Sequence, residues 1–206
     1  MKKTIISLIF VLLFLKVTTV DAQQREHLIG VRAAYNISGL DSRPDISPES
    51  IKTYGNYSVV YTFYHDLWKT INLFGFQAAI SKSEQGFTVG DITTRYEVVT
   101  IPLVSQFHFD FWKMRLLLNA GGFGGYRYKK SVSDGSGFGE HDYKADYGFI
   151  AGGGLAFVLK PFELHLEGNY HYSLSYLHSP KKFSETEHFF TYPKQLLISA
   201  TLYFHL

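Results

Sequence analysis

The stretch from Phe162 to Tyr176 reads F-E-L-H-L-E-G-N-Y-H-Y-S-L-S-Y and decides the fold. Its even-numbered positions are apolar, aromatic or Gly. Its odd-numbered positions are all polar, namely Glu163, His165, Glu167, Asn169, His171, Ser173 and Ser175. A period of two places alternate side chains on opposite faces of a strand, while a helix would scatter them around its axis. The stretch is therefore predicted to be a long strand with one apolar and one polar face.

The length of this strand indicates its surroundings. The alternation continues over fifteen residues, whereas strands of soluble proteins have about five or six residues and a strand that crosses a bilayer needs roughly 9 to 11. A face of Leu and Tyr can contact lipid and a face of Glu and His cannot, which is typical of a transmembrane β-barrel strand. The composition agrees, because 46% of the residues are hydrophobic while the mean hydropathy stays near zero, too polar for a bundle of membrane helices.

Seven further segments alternate in the same way and are also predicted to be strands. They are Leu28–Ser38, Tyr54–His65, Ile71–Lys82, Thr94–Phe109, Met114–Lys129, Tyr143–Leu159 and Lys194–Leu206. Pro102 lies in the middle of the fourth strand, where it has no N–H for a ladder, so a bulge or a local break in pairing is expected there.

The connections alternate between short and long. The short ones are Asp66–Lys69, Asp110–Lys113 and Lys160–Pro161, and the long ones are Ser38–Thr53, Ser83–Thr93, Ser131–Asp142 and His178–Tyr192. Outer-membrane barrels have short periplasmic turns and long external loops. We therefore predict an all-β fold, an eight-stranded antiparallel up-and-down transmembrane β-barrel in the outer membrane, with four long external loops and both termini in the periplasm.

The N-terminus has the pattern of a secretory signal peptide. Lys2 and Lys3 precede an apolar run from Ile5 to Leu15, and Val20-Asp21-Ala22 offers small residues at the usual cleavage positions. Residues 1–22 are predicted to be the signal peptide and residues 23–206 a single barrel domain. An uncleaved anchor helix is the alternative, although the apolar run is short for a span. The chain has no Cys, which excludes a lipoprotein anchor and disulfide bonds.

The charge balance gives no support for nucleic-acid binding. The chain has 20 Lys and Arg residues against 18 Asp and Glu residues, and the leader contains three of the basic and one of the acidic ones, so that 17 of each remain. A neutral mature chain lacks the basic excess that attracts nucleic acid. The expected partners are membrane lipids and, through the long loops, other envelope or secretion proteins.

The polar face of the strands predicts a charged interior. An eight-stranded barrel is narrow and is filled by its own side chains. The residues expected inside are Arg32, Arg115, Arg127, Asp146, Glu163, His165, Glu167 and His171. A lone buried charge costs several kcal/mol, so we expect these groups to pair and to hold the barrel in register. The alternative is a polar path for a small solute or a proton.

Two tryptophans are candidates for anchors at the membrane interface. Trp68 and Trp112 occupy equivalent positions in short turns, D-L-W-K and D-F-W-K. An indole ring suits the headgroup level, where one of its edges is dry and the other is wet.

The sequence carries no motif of catalysis, of metal binding or of a cofactor. There is no G-x-S-x-G nucleophile elbow, and the Gly135–Gly139 segment lacks the Gly-Lys-Ser/Thr of a phosphate loop, so it is interpreted as an exposed loop. We therefore predict that the protein is not an enzyme. A membrane-embedded lipid-modifying enzyme stays an alternative, with His178 and the Glu185–His188 segment as candidates. A soluble lipid-carrying barrel would need the opposite polarity, with Leu and Tyr inside.

Several short motifs, in this order along the chain, resemble the PorT-like family of outer-membrane β-barrels. They are G-V-R-A-A-Y-N-I-S at Gly30–Ser38, I-P-L at Ile101–Leu103, A-G-G-F-G-G-Y at Ala120–Tyr126, D-Y-G at Asp146–Gly148 with Gly152 and Gly154, and Glu167 with Y-H-Y-S-L at Tyr170–Leu174. The resemblance implies an eight-stranded barrel in the outer membrane, and one namesake member takes part in a protein-secretion system. We expect a structural or accessory role in surface assembly or secretion, with a small-solute channel as a further alternative.

Overall fold

The computed structural model describes residues 25–44, 47–67, 71–179 and 190–206. The predicted signal peptide and Trp68 lie outside these residues. Within the same ranges, the protein has no helix that is long and apolar enough to cross a membrane.

The described residues form eight strands that close into a barrel. They are β1 (Glu26–Arg43), β2 (Glu49–Leu67), β3 (Ile71–Val89), β4 (Ile92–Phe111), β5 (Met114–Val132), β6 (Ala145–Leu159), β7 (Phe162–Ser173) and β8 (Phe190–His205). Each strand is antiparallel to its neighbours in the chain, and β1 pairs with β8 to close the ring. The predicted fold, with its strand number and up-and-down order, is confirmed.

The alternation in β7 places its two faces as predicted. Glu163 and Glu167 are buried in the barrel, while Leu164 and Leu166 on the outer face are 37% and 46% exposed. Similar apolar side chains cover the outer face of the other strands and form a belt, which includes Ile29, Val31, Val59, Ile80, Ile101, Leu103, Leu116, Leu118, Phe149, Leu155, Ile198 and Leu202. The barrel is thus polar inside and apolar outside around its middle.

Two of the four predicted long loops are wrong. Most of Ser38–Thr53 belongs to β1 and β2, and most of Ser83–Thr93 belongs to β3 and β4, which meet at a turn of Gly90 and Asp91. In the described parts of the chain, the long connections are 133–144 and 174–179, the latter continuing into residues outside the description. The strands β1 to β5 therefore project beyond the apolar belt at this end of the barrel, which we call the loop end.

The error has a physical cause. Beyond the belt, outward side chains such as Glu84 and Arg95 are charged, so the outer face is no longer apolar and the contrast between the faces disappears. Inward side chains in these extensions are small and polar, for example Ser38 and Ser83, which are 1% and 5% exposed. Short polar residues of this kind resemble a loop in a sequence although they lie in a barrel.

Pro102 produces the expected local break in pairing. The register of β3 with β4 is interrupted between the Ala78–Leu103 pair and the Ser81–Thr100 pair, and it resumes without a shift. On its other side, Pro102 remains opposite Phe123 of β5.

Glycines of β6 allow a close approach to β7. A Cβ atom built on Gly154 would collide with the carbonyl oxygen of Leu166 in β7. The wall is therefore closely packed at this position because no side chain intervenes.

The loop end is covered by an apolar cluster. Leu40, Tyr96, Val98 and Leu177 are buried together, and Phe138 of the 133–144 connection packs against them. The two long connections also meet, since Asp142 and His178 form a β-bridge and the Tyr143 N–H donates to the Leu177 carbonyl oxygen at 2.9 Å.

Candidate functional site

A layer of ion pairs fills the barrel interior at the end that carries the short turns. We call it the turn-end layer. Arg115 Nη2 donates to Glu26 Oε2 at 2.6 Å, and Arg115 Nη1 lies 3.7 Å from Glu163 Oε1. Glu163 also contacts two imidazoles, with His165 Nε2 at 2.8 Å and His205 Nε2 at 3.0 Å. This fully buried carboxylate thus gathers groups from β5, β7 and β8.

The middle layer is built on Arg32 and Glu167. Arg32 Nη2 donates to Glu167 Oε2 at 2.8 Å and to Gln77 Oε1 at 2.9 Å, and Arg32 Nε donates to Thr201 Oγ1 at 2.9 Å. The other carboxylate oxygen of Glu167 accepts from Asn119 Nδ2 at 2.7 Å. Side chains from β1, β3, β5, β7 and β8 are joined here by charge-assisted hydrogen bonds, which are the stronger kind.

The loop-end layer is built on Arg127, which is completely buried. Its Nη2 donates to Asp146 Oδ1 at 2.7 Å, and its Nη1 donates to the carbonyl oxygens of Ala145 at 2.7 Å and of Tyr143 and Tyr176 at 3.3 Å. Asp146 Oδ2 accepts a bond of 2.6 Å from Gln85 Nε2. One guanidinium therefore holds the main chain of both long connections as well as its carboxylate partner.

A small cavity lies between the middle and loop-end layers. It has a volume of about 30 Å³, and Arg32, Asn169, His171 and Ser199 are among the residues that line it. The imidazole of His171 lies 5.3 Å from the ring of Phe123, measured between ring centroids, and is tilted by 32° from it. A polar cavity needs at least about 10–15 Å³ to hold one water molecule, so this one has room for water but not for a larger solute.

The eight residues predicted inside are all on the inner face. The structure separates them into the turn-end layer (Arg115, Glu163 and His165), the middle layer (Arg32 and Glu167), the loop-end layer (Arg127 and Asp146) and the cavity wall (His171). Their role in holding the register stays a prediction.

The predicted anchor Trp112 lies in the turn after β4, and its side chain is 93% exposed. It is therefore free to enter an interface, although that role stays a prediction. Trp68 and the Glu185–His188 segment lie outside the described residues. His178 lies at the loop end, where its Nδ1 is 3.2 Å from the Ser179 carbonyl oxygen.

Sequence reasoning missed other members of the interior network. Glu26 precedes the predicted first strand, yet it shares the even-numbered face of Arg32, so extending the alternation backward would have found it. Tyr203 is completely buried and accepts bonds of 3.0 Å from Thr62 Oγ1 and Gln77 Nε2. Its odd number in β8 indicates the inner face, but a Tyr in an apolar strand looks like a lipid contact.

A metal ion does not suit the turn-end layer. Glu26, Glu163 and His205 have ligand atoms within 4.8 Å of one another. However, Glu26 is already held by Arg115 and, at 2.8 Å, by Lys160, and Glu163 is close to Arg115. Two resident cationic side chains would repel a metal ion, so the arrangement is better suited to a static ion-pair network.

Comparisons with known proteins find similarity to solved outer-membrane proteins at low sequence identity. No family model matches the sequence, and no curated protein matches it. Among solved structures, the Neisserial surface protein A is 15% identical with a TM-score of 0.49, over 85% of this chain and 96% of that chain. The outer membrane protein AlkL, determined in lipid bilayers, is 11% identical with a TM-score of 0.48, over 92% and 95%. The outer membrane enzyme PagL is 12% identical with a TM-score of 0.44, over 84% and 97%.

Proposed function

We propose that this protein is an integral outer-membrane β-barrel with a structural or accessory role in surface assembly or protein secretion, and that the loop end is its contact surface. One observation carries the proposal: the barrel is filled with side chains inside, and its loop end is ordered by bonds from the interior. The resemblance to the PorT-like barrels supports the same role.

The outer face supports the membrane location. The apolar belt surrounds the barrel, while soluble monomers rarely expose apolar patches larger than a few hundred Å². A soluble lipid carrier would have this polarity reversed, with Leu and Tyr around an inner cavity. Because the first and last strands begin and end beside the short turns, both termini would lie in the periplasm.

Fractionation tests the location. A folded barrel is expected to remain with the detergent-extractable envelope and to migrate differently on a gel before and after boiling. Recovery of the chain in the soluble fraction, with a single mobility at both temperatures, would contradict the proposal.

The interior favours a closed barrel over a channel. The Arg127–Asp146 pair is completely buried, and the cluster of Leu40, Tyr96, Val98 and Leu177 covers it from the loop end. We expect the purified protein in a planar bilayer to give no stable conductance steps. Steps that persist with the full-length protein would favour the channel.

The loop end supports the contact role because it is already organised. Arg127 donates to the carbonyl oxygens of Tyr143 and Tyr176, one in each long connection, and the Ser179 N–H donates to the His141 carbonyl oxygen at 2.8 Å. A surface held in one conformation loses less entropy when a partner binds. We ascribe no catalytic role to it.

Site-specific photo-cross-linking in intact cells tests this contact role. A cross-linker at the exposed Glu140 of the loop end should yield a discrete protein adduct. The same cross-linker at Lys113, an exposed residue of a short turn, is the matched control. Equal adducts at both positions, or none at Glu140, would count against the loop end as the contact surface.

A further inference from the structure

A charged patch lies on the outer face of the wall, where β3, β4 and β5 leave the apolar belt. Lys82 Nζ is 3.2 Å from Glu97 Oε2, and Lys129 Nζ is 2.7 Å from Glu97 Oε1. The side chains of the two lysines are 51% and 60% exposed, against 24% for Glu97. Because an ammonium has three N–H donors, the exposed side of each lysine can contact another anion.

The register places this patch at the edge of the belt. Lys82 pairs with Tyr57 on one side and with Val99 on the other, and Val99 pairs with Tyr126. Tyr57 and Tyr126 are 61% and 52% exposed on the same outer row. Tyrosines of membrane barrels lie at the level of the lipid headgroups, so Lys82 is at that level too.

An apolar groove lies beside Lys82 on the same face. It is a shallow, open depression, and the outward side chains that line it are Val31, Tyr57, Val59, Ile80 and Val99. Val31, Val59 and Ile80 are 63%, 57% and 66% exposed, so the groove is open to the surroundings. The outer wall thus places the ammonium of Lys82 next to an apolar groove that can accept a hydrocarbon chain.

The charges around the groove favour an anionic occupant. Glu84 is opposite Glu97 in the register, and Arg95 lies on the outer face of β4 beyond them. Together with the two lysines, the patch has three cationic and two anionic side chains. Each basic residue near an anionic lipid surface contributes to attraction. Lys82 and Lys129 share the single carboxylate of Glu97, so this ion-paired cluster has one cation in excess, which a phosphate would neutralise.

We propose that this wall binds an anionic lipid of the surrounding bilayer whose headgroup is a phosphate without a compensating cation, with the phosphate against Lys82 and Lys129 and an acyl chain in the adjoining groove. The inference rests on the proposed membrane location. It assigns the site to a lipid rather than to a free anion, because the groove offers its apolar walls to the chain of the same molecule.

Native mass spectrometry of the full-length barrel in detergent micelles tests the proposal. Phosphatidic acid and phosphatidylcholine with identical acyl chains are titrated separately. We expect a defined one-to-one adduct with phosphatidic acid and a much weaker one with phosphatidylcholine. Equal binding of the two lipids would overturn the proposal.

Matched variants identify the site. The double variant K82Q/K129Q should bind phosphatidic acid about twenty-fivefold less tightly, since each lysine contributes about fivefold. The control K113Q/K160Q removes the same charge from the turn end and should bind as the unaltered protein does. E97Q removes the competing carboxylate and should bind more tightly. Equal losses in the two double variants, or weaker binding by E97Q, would overturn the assignment.

Two further measurements separate the possible failures. If inorganic phosphate at millimolar concentration displaces the lipid completely, the patch is a free-anion site and the lipid proposal is wrong. If every protein preparation shows heat-modifiable mobility but no preference for phosphatidic acid, the lipid site fails while the membrane barrel stands. A chain that stays soluble without detergent would contradict the proposed function itself.

Discussion

Asn36 in β1 donates a hydrogen bond of 2.7 Å from its side-chain amide to the backbone carbonyl oxygen of Glu84 in β3, although β2 lies between these strands in the barrel order. The pairing of β2 with β3 is irregular between Ser50 and Tyr57. Side chains of β1 and β2 contact the main chain of β3 in that interval. The Glu84 N–H donates to Asn56 Oδ1 at 2.9 Å, and the Gly86 N–H donates to Ser38 Oγ at 2.7 Å.

These bonds explain the structural value of the N-x-S motif in β1. A buried backbone group without a partner costs about as much as a lost hydrogen bond. Asn36 and Ser38 supply partners where the ladder of β2 does not, so the motif that resembles the PorT-like first strand has a defined structural use in this chain.

Replacement of Asn36 by Ala should therefore destabilise the barrel. The change leaves the Gln195 side-chain oxygen without the bond of 2.8 Å that it receives from Asn36 and removes a donor from the Glu84 carbonyl oxygen. Loss of buried partners costs about 1–3 kcal/mol. Urea unfolding in lipid vesicles measures the change. The variant Ser131→Ala, at an exposed position, is the control. If Asn36→Ala and Ser131→Ala have the same free energy of unfolding, the Asn36 hydrogen bonds do not stabilise the barrel.

A strand of this barrel is recognisable in the sequence only where its two faces differ in polarity. Within the belt, the contrast between apolar and polar residues locates Glu163, Glu167 and their neighbours on the inner face without any coordinates. Above the belt, water lies outside the barrel and polar side chains lie inside, so the extension of β1 beyond Ser38 to Arg43 and that of β3 from Ser83 to Val89 were not predicted. The pattern depends on the solvent and disappears where the solvent changes.

The sequence also does not predict which acidic side chain pairs with which basic one. Arg32 is in register with Thr201, and Thr201 with His165, yet Arg32 pairs with Glu167. Which acid a base reaches depends on the stagger of the strands around the closed ring. Alternation assigns a face to each residue but leaves that stagger undetermined.

The Arg32–Glu167 pair should be strongly coupled. Removal of one member leaves an uncompensated buried charge, which costs about 3–5 kcal/mol, while replacement of both by apolar residues is often neutral. We expect Arg32→Met and Glu167→Leu to lower the free energy of unfolding by about that much each, and the double variant by much less than their sum. A double-mutant cycle in urea measures the coupling, and additive losses would rule it out.

Arg127 should control the order of the loop end. Arg127→Met removes the donors to the carbonyl oxygens of Ala145, Tyr143 and Tyr176. We expect proteinase K to cut the 133–144 connection severalfold faster in intact cells, while the heat-modifiable band remains. Arg127→Lys should give an intermediate rate, because a point charge pairs with Asp146 but lacks the planar fork.

The control for this prediction is Arg115→Met, which removes an arginine from the turn-end layer instead. It should lower the free energy of unfolding and leave the cleavage rate of the 133–144 connection unchanged. If the Arg115 and Arg127 variants accelerate cleavage equally, the effect reflects general destabilisation and not the contact of Arg127 with the connections.

The close approach of β6 and β7 gives a test of the wall itself. A Cβ at Gly154 would meet the Leu166 carbonyl oxygen, so Gly154→Ala forces the two backbones apart, and overpacking of this kind costs about 1–3 kcal/mol. Gly168→Ala is the matched control in the neighbouring strand, because nothing lies within 4 Å of a Cβ there. Its effect should stay within about 0.5 kcal/mol. Urea unfolding in the same vesicles compares the two. Equal stabilities would mean that the wall yields at Gly154, and that the tight contact between these strands does not require a glycine.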